Sequence, residues 1–178
     1  MPSLKLKPSE GPAGTEVTAI GAGFRPNVGY RIQLETEWLK PGTTNNRGGF
    51  VMIFKIPPTP YGDQDIIAMS QAAHQLAHAT FKVRPQITRI EPEEITVGET
   101  ITVSGAGFGS QEPILVQMDD RPVQLETESR TNSDGTFTVS FTATEDVIPP
   151  TPVSITVIGK ETRASASAPQ KMELKLAS

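Results

Sequence analysis

The sequence predicts an all-β chain of two tandem β-sandwich domains, residues 1–85 and 86–178. Three observations carry this expectation. The stretch from Gly14 to Phe24 returns from Gly98 to Phe108 at a constant offset of 84 residues, and Pro8 and Pro92 keep that offset upstream. A supersecondary unit that recurs at fixed spacing marks a repeated domain. Next, apolar residues alternate with polar ones over short runs, the period of a strand with one buried face. Finally, 16 prolines and 15 glycines accompany frequent Val, Ile and Thr, which fits short strands joined by turns. No segment sustains a helical period, so almost no helix is expected.

The elements follow in order. Leu4 and Leu6 alternate with Lys5 and Lys7 in a first strand, and residues 8–14 turn. Residues 15–21 form a second strand with Val17 and Ala19 inward. Gly21 and Gly23 permit close backbone approach, and Phe24 plugs the sandwich edge. Tyr30, Ile32 and Leu34 point inward from a third strand. Residues 38–49 read as loop or weak edge strand, with Pro41-Gly42 and Asn45-Asn46 as turn signals. Phe50, Met52, Phe54 and Ile56 alternate inward. The proline-rich run 56–60 is extended. Strands then cover 65–70 and 77–83, the latter with Phe81 and Val83 inward.

Arg84-Pro85-Gln86 reads as a short, proline-stiffened linker that sets the domains end to end. In the second copy, strands are expected at 99–105, with Ile101 and Val103 inward, at 113–118 and near 122–128. Asn132 to Gly135 makes a hairpin turn. Phe137, Val139, Phe141 and Ala143 face in, as do Val153, Ile155 and Val157. The chain closes on Ala164, Ala166 and Ala168, a break at Pro169, and an alternating run of Met172, Leu174 and Leu176. That run is expected to pair with a sheet edge.

Composition bounds the chemistry. There are no cysteines, so disulfides and thiolate chemistry are excluded. The N-terminus lacks the apolar core of a signal peptide, which implies synthesis without the usual export signal if Met1 is native. No apolar run is long enough to span a bilayer. Net charge is −4, divided as +3 over residues 1–85 and −7 over 86–178. No basic stripe with interleaved aromatics is present, which argues against nucleic acid as a partner. The asymmetry reads as ordinary solvated faces, or as head-to-tail attraction between copies that salt would weaken.

Candidate reaction centres are few. The run Gly21 to Phe24 lacks the third glycine and following helix of a dinucleotide fingerprint. His74 and His78, the only histidines, would share one side of a strand, with Asp63 and Asp65 at the far end of the hairpin; they make a poor metal site. Asp119-Asp120, and Asn132 with Asp134, lack the further oxygens of a calcium loop, and a tight turn explains Asp134-Gly135. No catalytic, cofactor-binding or metal-binding residues are assigned, and no cofactor is expected.

The run from Pro8 to Phe24, with Gly11 to Thr15 before the strand and Gly21 to Phe24 after it, resembles the IPT/TIG-type immunoglobulin-like repeat. Residues 132–137, echoed by 45–50, are similar to the hairpin of bacterial surface Ig-like repeats. The second copy has residues 93–98 in place of the glycine-rich approach to the strand. The resemblance implies two immunoglobulin-like sandwiches that act as spacers, adhesive units or decorations of a virion or cell surface.

The functional expectation is a non-enzymatic rod that decorates or joins a larger assembly, such as a virion, with other protein subunits or further copies of itself as partners. A cell-surface adhesion or S-layer-type fragment is the alternative. Carbohydrate binding is another, and would need exposed aromatics among Trp38, Tyr30 and Tyr61. The interface candidates are Ile20, Val51, Ile53, Trp38, Leu174 and Leu176. Ile20, Val51 and Ile53 fall on the outer face of the first copy, where the second has Ser104, Thr138 and Ser140. Either this face docks, or residues 38–49 fold back over it. Trp38 is a core or edge plug, or an interface anchor.

Overall fold

The computed structural model describes residues 1–127, 129–143 and 153–172, and side chains as far as Ala168. These residues contain strands, turns and no helix. The chain divides into two compact units: residues 1–57 with 62–83, and 58–61 with everything from Arg84 onward.

In the first unit, β1 (Ser3–Lys7), β3 (Glu16–Ala22) and β6 (Phe50–Lys55) form one antiparallel sheet in the order β1-β3-β6. The other sheet runs β2-β8-β7-β4-β5, from β2 (Glu10–Gly11), β4 (Gly29–Leu34), β5 (Glu37–Thr43), β7 (Gly62–Ser70) and β8 (Gln75–Val83). The chain switches sheets between β1 and β2, at the cis Lys7–Pro8 bond. Among the described residues each unit has eight strands, its first strand being divided between the two sheets.

The second unit repeats the plan. Strands β9 (Gln86–Glu91), β11 (Thr100–Ala106) and β14 (Phe137–Thr142) form a sheet in the order β14-β11-β9. The partner sheet has the order β10-β16-β15-β12-β13, from β10 (Glu94–Ile95), β12 (Ile114–Met118), β13 (Arg121–Pro122), β15 (Val153–Gly159) and β16 (Ser165–Met172). Its switch point is the cis Glu91–Pro92 bond, 84 residues after the first.

Alternation sets the core. Val17, Ala19, Tyr30, Ile32, Leu34, Phe50, Phe54, Phe81 and Val83 are buried in the first unit. Ile101, Val103, Phe137, Val139, Phe141, Ile155 and Val157 are buried in the second. Phe24 and Phe108 close their cores beside Phe50 and Phe137, with ring centroids 5.7 and 5.1 Å apart. Gly21 pairs with Phe50, and Gly105 with Phe137. A Cβ on either glycine would run into its partner's ring, so these glycines are kept by lack of space.

Backbone hydrogen bonds repeat with the strands. Asn45 N–H donates to Gly49 and Gly48 N–H to Asn45; Asn132 N–H donates to Thr136 and Gly135 N–H to Asn132. Phe24 and Phe108 N–H then donate to Gly48 and Gly135. The Thr44 hydroxyl bridges Arg25 carbonyl and Val28 N–H, at 2.7 and 2.9 Å. Thr131 bridges Gly109 carbonyl and Glu112 N–H in the same way, at 2.5 and 2.9 Å.

Several local expectations are corrected. Pro41 and Gly42 are not a turn but part of β5, opposite Arg31 and Tyr30. Proline is tolerated there because β5 is an edge strand, and Gly42 leaves room for the Tyr30 ring. Among the described residues, the strand expected near 122–128 is only Arg121–Pro122. Gln86 opens β9 and so is not linker. Pro169 breaks nothing: β16 runs through it, opposite Ser154 on β15, and Lys171 and Met172 pair with β10 in the same unit. Leu174 and Leu176 lie outside the described residues.

One buried group had no sequence signal. Glu112 is buried, and its carboxylate accepts bonds from the Gly109, Glu161 and Thr162 N–H groups and from the Thr162 hydroxyl, at 2.6 to 3.1 Å. The corresponding residue of the first unit is Val28. There the Gln75 side chain takes over, accepting from Arg25 N–H at 2.8 Å. Burial alone raises the Glu112 pKa, but the bonds from Thr162, Gly109 and Glu161 outweigh it and hold it below the ordinary carboxylate value.

Two predictions follow from this packing. Gly105→Val should destabilise the second unit by about 1–3 kcal/mol through overpacking against Phe137, read as a lower denaturation midpoint. Because the folded Glu112 pKa is depressed, its stabilisation is complete above the unfolded value of about 4.3 and is lost as pH falls through the lower folded value. Glu112→Gln should cost about 1–3 kcal/mol at neutral pH and flatten the acid limb of a stability–pH curve.

Candidate functional site

The outer faces of the first unit hold four of the six sequence-predicted interface residues, Ile20, Val51, Ile53 and Trp38. On the three-stranded sheet, alternation that buries Val17, Ala19, Met52 and Phe54 turns Ile20, Val51 and Ile53 outward. Ile20 is directly opposite Val51, and Thr18 opposite Ile53. Val51 is 68% exposed and Ile53 51%, while Ile20 is half-buried. Residues 38–49 do not cover them: β5 pairs with β4 in the other sheet. The Lys40 ammonium reaches across from β5, 3.5 Å from the Ile53 carbonyl. On β1, Lys5 is opposite Ile20 and Lys7 opposite Thr18, and Lys55 ends β6. The apolar patch is therefore flanked by lysines.

The same face of the second unit is polar. The Thr102 and Ser140 hydroxyls are 3.0 Å apart, as are those of Ser104 and Thr138. Cross-strand hydroxyl pairs satisfy one another and leave a hydrated surface.

Trp38 is on the other sheet, at edge strand β5, 45% exposed. It faces Gln33 across the ladder, and the Arg31 guanidinium carbon lies 5.4 Å from its ring centroid. Trp38 is thus no core plug. A cleft of about 220 Å³ adjoins it, lined by Gly29, Tyr30, Arg31, Met69, Gln71 and Ala72. Tyr30 forms part of this wall but is itself buried and stacked on Phe50, 3.8 Å between centroids. Burial raises its pKa, so its hydroxyl stays protonated through neutral pH.

The histidines are arranged differently from the sequence expectation. His74 sits in the turn between β7 and β8 with φ 50°, and only His78 is on the strand. Asp65 is not remote: its carboxylate is 2.8 Å from His78 Nδ1. Ladder pairing places His78 opposite Ile67, one diagonal step from Asp65 on the same face. Among the described residues no group of three or more His, Asp or Glu side chains could hold a metal. Asp119 caps Ser154 N–H at 2.8 Å, and Asp134 accepts from Thr136 N–H and hydroxyl at 3.1 and 2.7 Å. Asp134 thus serves its own turn, and Asp119 ties the turn after β12 to β15. No described helix is long and apolar enough to cross a membrane.

Arg31, Met69, Gln71 and Leu76 were not anticipated as site residues. Alternation around Ile32 does place Arg31 outward; nothing local in the sequence marks Leu76, whose neighbours are set by strand pairing.

Comparison with known proteins gives the following. A family model described as the IPT/TIG domain matches residues 85–173. No curated protein matches the chain. Among solved structures, the surface glycan-binding protein PbSGBP-B from Prevotella bryantii is similar at TM-score 0.44 and 15% identity, over 90% of this chain and 37% of that one. Murine CEACAM1b is similar at TM-score 0.33 and 10% identity, over 98% and 100%. The plexin A4 extracellular region is similar at 0.34 and 15%, over 93% and 16%. The chain spans just over a third of the length of the glycan-binding protein and under a fifth of the plexin. With the family model covering half of its residues, the chain belongs to the IPT/TIG domain family.

Proposed function

We propose that this chain is a non-enzymatic interaction module, a tandem of two IPT/TIG-like domains over residues 1–85 and 86–178, that attaches to a larger protein assembly on a virion or an extracellular surface. The observation that carries this reading is the outer face of β3 and β6. Ile20, Val51 and Ile53 stand where the second unit has paired hydroxyls. Contiguous exposed apolar side chains mark interaction surfaces, and covering each is worth about 1.5–3 kcal/mol. Both units share strand order and turn hydrogen bonds, so the contrast lies in the side chains of one face.

The flanking Lys5, Lys7, Lys40 and Lys55 favour an acidic partner surface. The second unit, which carries most of the acidic residues, then keeps its hydroxyl-lined face in solvent.

The double variant Ile20→Ser with Ile53→Ser tests the assignment. Both positions point outward, so it should stay folded with a thermal midpoint near that of the parent. It should no longer cosediment with the native assembly, and binding of the parent should weaken as salt rises. Cosedimentation of a folded double variant at the parental level would reject the face. Loss of folding would mean that these side chains serve the domain itself.

A further inference from the structure

The five-stranded sheet of the first unit has a second outward surface. Ladder pairing aligns Arg31 on β4 with Met69 on β7 and Leu76 on β8. Trp38 on β5 faces Gln33, the next outward residue of β4. An indole, a guanidinium, a thioether and an isobutyl group thus cross the sheet on one face. Leu76 is 51% exposed. The surface is also concave. Beside the cleft at Trp38, a second one of about 390 Å³ is lined by Met69, Ser70, Gln71, His74, Gln75 and Leu76. Met69 and Gln71 line both.

The polar complement of these clefts is specific. They hold Arg31, Gln71, His74 and Gln75 and no carboxylate. Asp65, on the same sheet face, is occupied by His78. Ser70, whose backbone position borders the second cleft, has a buried hydroxyl with no protein partner. In the second unit Gly159 stands at the Ser70 position with the Glu112 carboxylate in the corner beside it, and the cleft of about 230 Å³ at Pro113, Ile114 and Leu115 has no tryptophan or arginine in its lining. Ser70 alternates with outward Met69, so its buried hydroxyl points to the core side of β7, away from a ligand on the outer face.

We propose that this face binds a saccharide bearing a carboxylate, with a pyranose ring laid on Trp38 and its carboxylate held by Arg31. A half-exposed indole offers an apolar plate to the C–H face of a sugar while its rim stays wet. A guanidinium already aligned over that ring is preorganised to take a carboxylate through two parallel N–H bonds. Gln71 and His74 supply donors and acceptors for ring hydroxyls. The cation without a counter-charge in the lining separates an acidic sugar from a neutral one. Few polar groups in an apolar-walled cleft is the usual make-up of a small-ligand site.

Trp38 is the only tryptophan, so its fluorescence reports on this site alone. The full chain is titrated with trigalacturonate, with sialyllactose and with neutral maltotriose. A saturable change with at least one acidic probe, and about tenfold weaker binding of maltotriose, is the expected result; the responding probe identifies the sugar class. Calorimetry on variants completes the test. Trp38→Ala should abolish binding at an unchanged thermal midpoint, and Arg31→Gln should bring the acidic probe down to the maltotriose level. Equal affinity for maltotriose, or an unaffected Arg31→Gln, overturns the assignment of an acidic ligand. No saturable response to either acidic probe overturns the site, and leaves the face to a protein partner. Ile20→Ser with Ile53→Ser should bind the probe normally, which separates this site from the docking face.

Discussion

Strand alternation between two sheets is the constraint on which the rest of the structure depends. Most inward positions are taken by apolar side chains, and a one-residue slip would bury Thr138 and Ser140 while exposing Phe137 and Phe141. Register is therefore fixed wherever the core is apolar. Where two strands come closest, the core has room for one ring only, and Gly21 and Gly105 yield it to Phe50 and Phe137. The turn at Asn45, or at Asn132, then ties the Gly-Phe corner to the start of the next strand through Phe24 or Phe108.

With the core fixed, the outer faces are free to diverge, and here the two units part. The second unit pairs hydroxyls across β11 and β14, while the first exposes Val51 and Ile53. A hydroxyl pair costs nothing in water. An exposed aliphatic pair gains only if something covers it. The other sheet diverges too, since Trp38, Arg31, Met69 and Leu76 give the first unit a half-apolar, clefted surface.

The corner between β4 and the β7–β8 turn shows one requirement met by different chemistry. Arg25 N–H in the first unit and Gly109 N–H in the second each need an acceptor inside the fold. Gln75 provides it in one, Glu112 in the other. The carboxylate can be buried only because four bonds converge on it, and because Gly109 and Gly159 leave it space. Without that charge, the first unit keeps a cleft and an unpartnered Ser70 hydroxyl at the matching end of its sheet.

By itself the sequence determined what is local and periodic. Apolar residues two apart in Val17–Ala19 or Phe137–Val139–Phe141 have one low-energy arrangement, a strand with that face buried. A repeat at constant offset needs no three-dimensional information. The outward placement of Ile20, Val51 and Ile53 follows from the same parity. Only the tertiary structure decided what depends on which strand pairs with which. Pro41 and Pro169 look like breaks in sequence, yet each lies within a strand, because a proline is excluded only where the ladder requires its N–H. Asp65 and His78 are thirteen residues apart and meet because β7 folds back on β8. Glu112 reads as one more surface acid until Glu161 and Thr162, some fifty residues later, bring their N–H groups to it. Trp38, Arg31, Met69 and Leu76 become one surface for the same reason: residues on four strands are neighbours only through hydrogen bonds that no local pattern encodes.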